Sequence, residues 1–190
     1  MVAAAKPDKP APRMRITSSS AMLRPHISTC DRRHESSEAL MVCPMYGGTM
    51  ADRVIIEVEE ENLDPNLLQE KLAIGGSGAI VSFTGLTRGD ENGMKVHALE
   101  FDAWIDRLPI VLEEIANNAI DKFGIESVAM SHRIGHVSPE EPIVSIHVAS
   151  KHRKEAFQAC SWLIDTLKAQ APLWKKEIRE DGTHWKEGLG

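Results

Sequence analysis

Six residues combine the right side-chain types with positions where the local pattern predicts element ends. Arg88 follows the apolar run GAIVSFTG; His152 and Arg153 open a predicted helix; Lys168, Lys175 and Lys176 flank the break at Pro172. Arginine grips oxyanions through a fixed fork of donors, whereas lysine is a compact charge that can also move a proton. A helix start adds peptide N–H groups and a positive partial charge. Together these suit binding of an anion such as phosphate, stabilisation of developing oxyanions, and acid–base work by a lysine. Composition alone favours scattered surface charge, since most Lys and Arg are merely solvated.

Helix geometry singles out Lys168. At about 100° per residue, Phe157, Ser161, Ile164 and Lys168 fall within about 60° of one another, so the lysine sits at the margin of an apolar stripe and is expected to be partly desolvated. The helix C-terminal dipole would raise its pKa; nearby Arg88, Arg153 and Lys175 would lower it, and the sequence leaves both open. Alternation over residues 173–178 sends Lys175 and Glu177 to one face and Trp174, Lys176 and Ile178 to the other. A regular strand therefore keeps Lys175 and Lys176 out of a common pocket.

The elements that must position these groups are legible in outline. VIIEVE from about Arg53 alternates as a strand, and Asp64-Pro65 supplies an N-cap and first-turn proline for a short helix to about Ala73. GAIVSFTG at residues 78–85 reads as a strand, and residues 94–104 as its partner across a polar loop. A helix from near Pro109 stops at Gly124; strands follow at 127–134 and 142–149, then a helix over about 151–170. The end folds back as a hairpin at Asp181-Gly182. This order predicts a mixed α/β domain without the regular alternation of a doubly wound sheet.

Of 190 residues, the first 50 carry seven Lys or Arg and four Asp or Glu, with Ala/Pro/Ser clusters and no period. They read as a disordered leader, with the domain over residues 51–190. Removing the leader's +3 from the net charge of −6 leaves −9, which argues against a nucleic-acid binder. No apolar run is long enough to span a bilayer. Cys30, Cys43 and Cys160 form no CxxC pair, so a reducing, cytoplasmic setting is expected, with Cys160 a small buried apolar residue of a helix.

Two tempting motifs fail. Gly75-Gly76-Ser77-Gly78 follows a helix and precedes a strand, the reverse of a phosphate loop or nucleophile elbow, and reads as a turn. His132 and His136 flank Gly135 at a strand end, where four residues span about 13 Å, too far to share a metal ion; packing or hydrogen bonding is expected instead.

The strings GAIVSFTGLTR, LEFDAW, HRIGHVSP, ASKHRKEAF and IDTLKAQAPLWKKE run in order over roughly residues 78–187. In order and spacing they resemble the large, catalytic subunit of molybdopterin synthases, the MoaE type. The resemblance implies an α/β hammerhead fold and a self-dimer in which each protomer takes a small ubiquitin-like subunit, making a heterotetramer. That subunit's C-terminal Gly-Gly thiocarboxylate threads into the active site. The implied activity is a sulfurtransferase step of molybdenum cofactor biosynthesis: two sulfurs pass to cyclic pyranopterin monophosphate, without metal or cofactor. It further implies Lys168 and Lys175 as the catalytic pair, Arg88, His152 and Arg153 as substrate-anion contacts, and Lys176 and Glu177 as part of the same binding segment. Lys168 is favoured as acid/base and Lys175 as phosphate clamp, with the reverse open. Gly89-Asp90 stands where relatives often have Asn, and Phe101 and Trp104 where they usually have Tyr. A non-catalytic module holding the tail of a ubiquitin-like protein and a phosphoester hydrolase are the rival readings.

Overall fold

The computed structural model describes residues 53–91, 93–186 and 189. The expected leader, the boundary near Ala51, and Cys30 and Cys43 lie outside the described residues. The first strand, β1 (Val54–Glu59), leads into α1 (Pro65–Glu70), where Asp64 Oδ1 accepts the N–H groups of Asn66 at 2.9 Å and Leu67 at 3.3 Å. Those are N–H groups that the first turn cannot satisfy internally. Next come β2 (Ala79–Leu86), the two-residue β3 (Asp90–Glu91) and β4 (Met94–Ala103). Helix α2 (Leu108–Phe123) ends at Gly124, whose φ of 63° fits the left-handed cap that a side chain would strain. Strands β5 (Ser127–Arg133), β6 (Gly135–Val137) and β7 (Pro142–Ser150) precede α3 (Arg153–Gln170). The hairpin of β8 (Leu173–Arg179) and β9 (Gly182–Lys186) follows.

These strands make two sheets. The first, ordered β1-β5-β7-β2, is mixed, with β1 parallel to β5 and the other pairs antiparallel. The second is antiparallel and runs β3-β4-β8-β9, with β6 also on β4. The expected mixed-sheet, hammerhead-type α/β class is met. One pairing differs: β2 lies against β7, Phe83 opposite Ile146, while β4 belongs to the second sheet, Phe101 opposite Lys175. Adjacent strands usually pair, but β2 breaks register between Gly85 and Leu86, and β4 goes instead to β6 and β8.

The core lies where α2 and α3 cover one face of the first sheet. Leu112 and Ile115 of α2, Leu163 and Leu167 of α3, and Val128, Met130 and Ile146 of the sheet are all within 1% of fully buried. Period two in the strands and near 3.6 in the helices brings these side chains onto facing surfaces. The opposite face carries α1, with Leu68 and Leu72 against Ala129 and Ala149. Gly78, just before β2, lies so close to the residues that lead into α3 that a Cβ there would lie 2.6 Å from the Lys151 carbonyl oxygen. Among the described residues no helix is long and apolar enough to cross a membrane.

Candidate active site

A cavity of about 300 Å³ opens where the second sheet meets the end of α3 and the loop after β2. Its cations are Arg88, Lys168 and Lys175. Lys168 stands in the last turn of α3; Ala171 closes that helix by donating its N–H to the Leu167 carbonyl at 2.9 Å, and Pro172 turns the chain into β8. This turn brings Lys175 back toward Lys168. Alternation then points Lys175 and Glu177 inward together, as expected, across from Phe101 and Leu99 of β4.

Arg88 is placed by a buried arginine elsewhere. Arg133, 7% exposed at its side chain, donates to Glu141 Oε2 at 2.9 Å and to the His136 carbonyl at 3.0 Å. Ser138 N–H donates to the same Glu141 oxygen at 2.9 Å. The loop so fixed takes the Thr87 N–H on the Glu141 carbonyl at 3.0 Å and gives the Glu140 N–H to the Thr87 carbonyl at 2.8 Å. Thr87 is thereby pinned, and Arg88 projects from it with its side chain 77% exposed.

The two lysines differ in exposure. Lys168, expected to be partly desolvated, is exposed: a long side chain at the margin of an apolar stripe can keep its charge in water. Lys175 is the desolvated one, with 12% of its side chain exposed. Burial holds its pKa below the ordinary lysine value; Glu177 opposes that, Lys186 adds to it, and Glu91 and Arg88 act smaller and in opposite senses. A lysine so placed is closer to giving up its proton near neutral pH than an exposed one.

Glu177 is 4% exposed and committed to its own neighbours. Arg179 Nε donates to it at 2.7 Å and Arg179 Nη2 pairs with the same oxygen, while Lys186 lies 3.6 Å and Lys175 3.9 Å away. It therefore stands as an ion-pair partner of Lys175, with its Oε2 committed to Arg179. Arg179 and Lys186 escaped the sequence reading, although the alternation that pairs Lys175 with Glu177 also reaches Arg179. His132 meets the expectation of a packing or hydrogen-bonding residue, and the structure adds that it lines the cavity. Its buried ring lines the cavity edge-on to Phe101, centroids 5.3 Å apart. Its Nδ1–H donates to the Arg133 carbonyl at 2.6 Å, which leaves Nε2 as the lone-pair nitrogen. Burial pushes its pKa down to about 4, so the ring is neutral near pH 7.

Three expected residues are not gathered. Lys176 faces away, paired with Glu100 and 5.5 Å over the Trp185 ring. His152 caps α3 and Arg153 opens it, both exposed. At 1.5 Å per residue, Arg153 is about 22 Å along that helix from Lys168, too far to share one cavity within a single protomer. The Gly75–Gly78 stretch is a turn, and Cys160 is a buried helix residue whose thiol burial pushes up to about 11.

Comparison with known proteins places the chain in a family. The family described as MoaE protein matches residues 58–170. A molybdopterin synthase catalytic subunit from Thermoplasma volcanium is 37% identical over 127 residues, covering 67% of this chain and 93% of the relative. The human molybdopterin synthase catalytic subunit is 37% identical over 140 residues, covering 68% of this chain and 74% of its own. The crystal structure of molybdopterin synthase from Staphylococcus aureus superposes with a TM-score of 0.66 at 34% identity, over 69% of this chain and 96% of that one. The chain belongs to the MoaE protein family.

Proposed function

We propose that this chain is the catalytic subunit of a molybdopterin synthase, in which Lys175 is the acid/base and Lys168 and Arg88 hold the substrate anion. The observation that carries the reading is the largely buried side chain of Lys175, set beside two exposed cations in one cavity. The substrate is cyclic pyranopterin monophosphate, and the sulfur donor is the Gly-Gly thiocarboxylate of a small ubiquitin-like subunit. The donor's sulfur forms a bond to a pyranopterin carbon, an oxygen leaves, and water later frees the donor tail as a carboxylate. Lys175 delivers the proton to the departing oxygen, and Arg88 and Lys168 stabilise the phosphate. Two such rounds, with opening of the cyclic phosphate, produce the dithiolene. The reaction needs no thiol from this chain, and among the described residues Cys160 is buried and undissociated. A cytoplasmic setting belongs to this reading.

His152 and Arg153 enter it through the self-dimer, since a second copy can bring its α3 start to a site that its own α3 end cannot reach. Mixing Lys168→Ala with Arg153→Ala protein then builds some dimers with one intact site, and recovers about a quarter of wild-type activity after statistical exchange. No recovery would remove Arg153 from the site.

The direct test mixes the purified chain with thiocarboxylated small subunit and cyclic pyranopterin monophosphate. Molybdopterin is the expected product. Its absence, with both partners shown to bind, overturns the proposal in favour of a silent tail-binding module.

A further inference from the structure

The cavity holds a carboxylate that the mechanism does not use. Glu91 sits in β3, 20% exposed, with Oε2 at 2.9 Å from Arg88 Nη2 and Oε1 at 3.8 Å from Lys186 Nζ. Its strand is tied back to β4, Glu91 opposite Met94, and Asp90 Oδ1 accepts the Gly93 N–H at 3.0 Å across the turn. The carboxylate is thus the anchored partner of the pair, and Arg88, 77% exposed, is the one free to swing. Among the charged lining residues, Glu177 is already matched by Arg179. Glu91 differs in standing directly on Arg88, a cation that a bound phosphate would need.

We propose that Glu91 sets the charge specificity of this anion site, making it favour a singly charged cyclic phosphodiester over a doubly charged phosphomonoester. This rests on reading the cavity as a phosphate site. A phosphate on Arg88 and the Glu91 carboxylate share one guanidinium, and the repulsion between them scales with the phosphate's charge. A monoanion meets one unit of it and a dianion two. Hydrolytic ring opening, with hydroxide added to phosphorus and the proton to the departing alkoxide, gives a monoester that then releases its remaining phosphate proton to solvent, and so converts the first kind of ligand into the second. The same carboxylate that admits the cyclic substrate then favours release of the opened product. Lys186, between Glu91 and Glu177, stays beside the carboxylate when Arg88 turns to the ligand.

Two small probes test this at pH 8 and low salt, with dissociation constants read by NMR titration of the full chain. Phenyl phosphate is the dianion and the six-membered cyclic phosphate of 1,3-propanediol the monoanion. Comparing each probe between proteins cancels the contribution of the phenyl ring. Glu91→Gln is expected to tighten phenyl phosphate about ten-fold more than the cyclic diester, the order expected for one charge pair near a protein surface. Glu91→Asp keeps the charge and should leave the ratio of the two constants within about two-fold of wild type. An unchanged ratio in Glu91→Gln, or equal tightening of both probes, overturns the proposal and makes Glu91 a tether for Arg88, while leaving the phosphate reading intact. No binding of either probe by any of the three proteins overturns the phosphate reading and the proposal with it.

Discussion

The two sheets are held by different forces. On the first sheet, α2 and α3 bury an almost wholly apolar face, with Leu112, Leu163 and Met130 fully enclosed. On the second, β8 and β9 surround one buried carboxylate, Glu177, with Lys175, Arg179 and Lys186. Hydrophobic burial is non-directional and tolerates small shifts, whereas a buried ion cluster is stable only in one geometry. The stable sheet thus acts as a platform, and the charged one aims an ammonium. The far face of the first sheet carries its own polar trio, His147 between Ser82 at 2.8 Å and Ser145 at 2.9 Å, but it lies away from the cavity.

The strongest test of that division is Lys175→Ala, expected to lower the single-turnover rate at saturating substrate by about 10² or more with little loss of stability. Lys168→Ala should instead weaken substrate binding, and Lys168→Arg should be close to wild type. Because burial lowers the Lys175 pKa from 10.5, the rate should fall on the alkaline side with a midpoint below that value. Glu177 raises this pKa, so Glu177→Gln should move the alkaline limb to still lower pH. A limb that does not move in Glu177→Gln would assign the titration to another group.

Stability separates the sheets next. Glu177→Gln leaves buried cations uncompensated and should cost about 3–5 kcal/mol by denaturant unfolding, together with activity. Leu163→Ala should cost about 2–5 kcal/mol through the cavity it leaves, while turnover per folded molecule stays unchanged. Loss of turnover in folded Leu163→Ala would show that the platform is not independent of the site.

His132 joins the two sheets and supplies a pH test. Below pH 6.5 the unfolded chain takes up a proton that the folded chain refuses until about pH 4. Its contribution is therefore full above 6.5 and falls by about 3 kcal/mol as pH drops to about 4. His132→Gln should flatten that part of the stability curve, measured by thermal unfolding from pH 7.5 to 4.5. The smallest expected effect is Cys160→Ala, about 1 kcal/mol with sulfur transfer intact. Abolished transfer in folded Cys160→Ala would place a sulfur carrier in this chain.

Much of this arrangement was legible as local pattern. Period two sends Lys175 and Glu177 to one face because a pleat alternates whatever it packs against. Asp64-Pro65, Gly124 and Asp181-Gly182 mark ends because their backbone preferences act within a few residues. The length of α3, also readable from its pattern, already separates Arg153 from Lys168. Tertiary structure alone decided the rest, because desolvation and pairing depend on residues distant in sequence. Residues 94–104 read correctly as a strand, yet their partner is β8, some 75 positions on, and not the preceding β2. Lys168 has the apolar stripe and Lys175 an ordinary alternating strand, yet Lys175 is the enclosed one, because β8 pairs with β4 and sets it opposite Phe101, from a distant part of the chain. His132 became a cavity residue only because β5 ends where β4 and α3 converge.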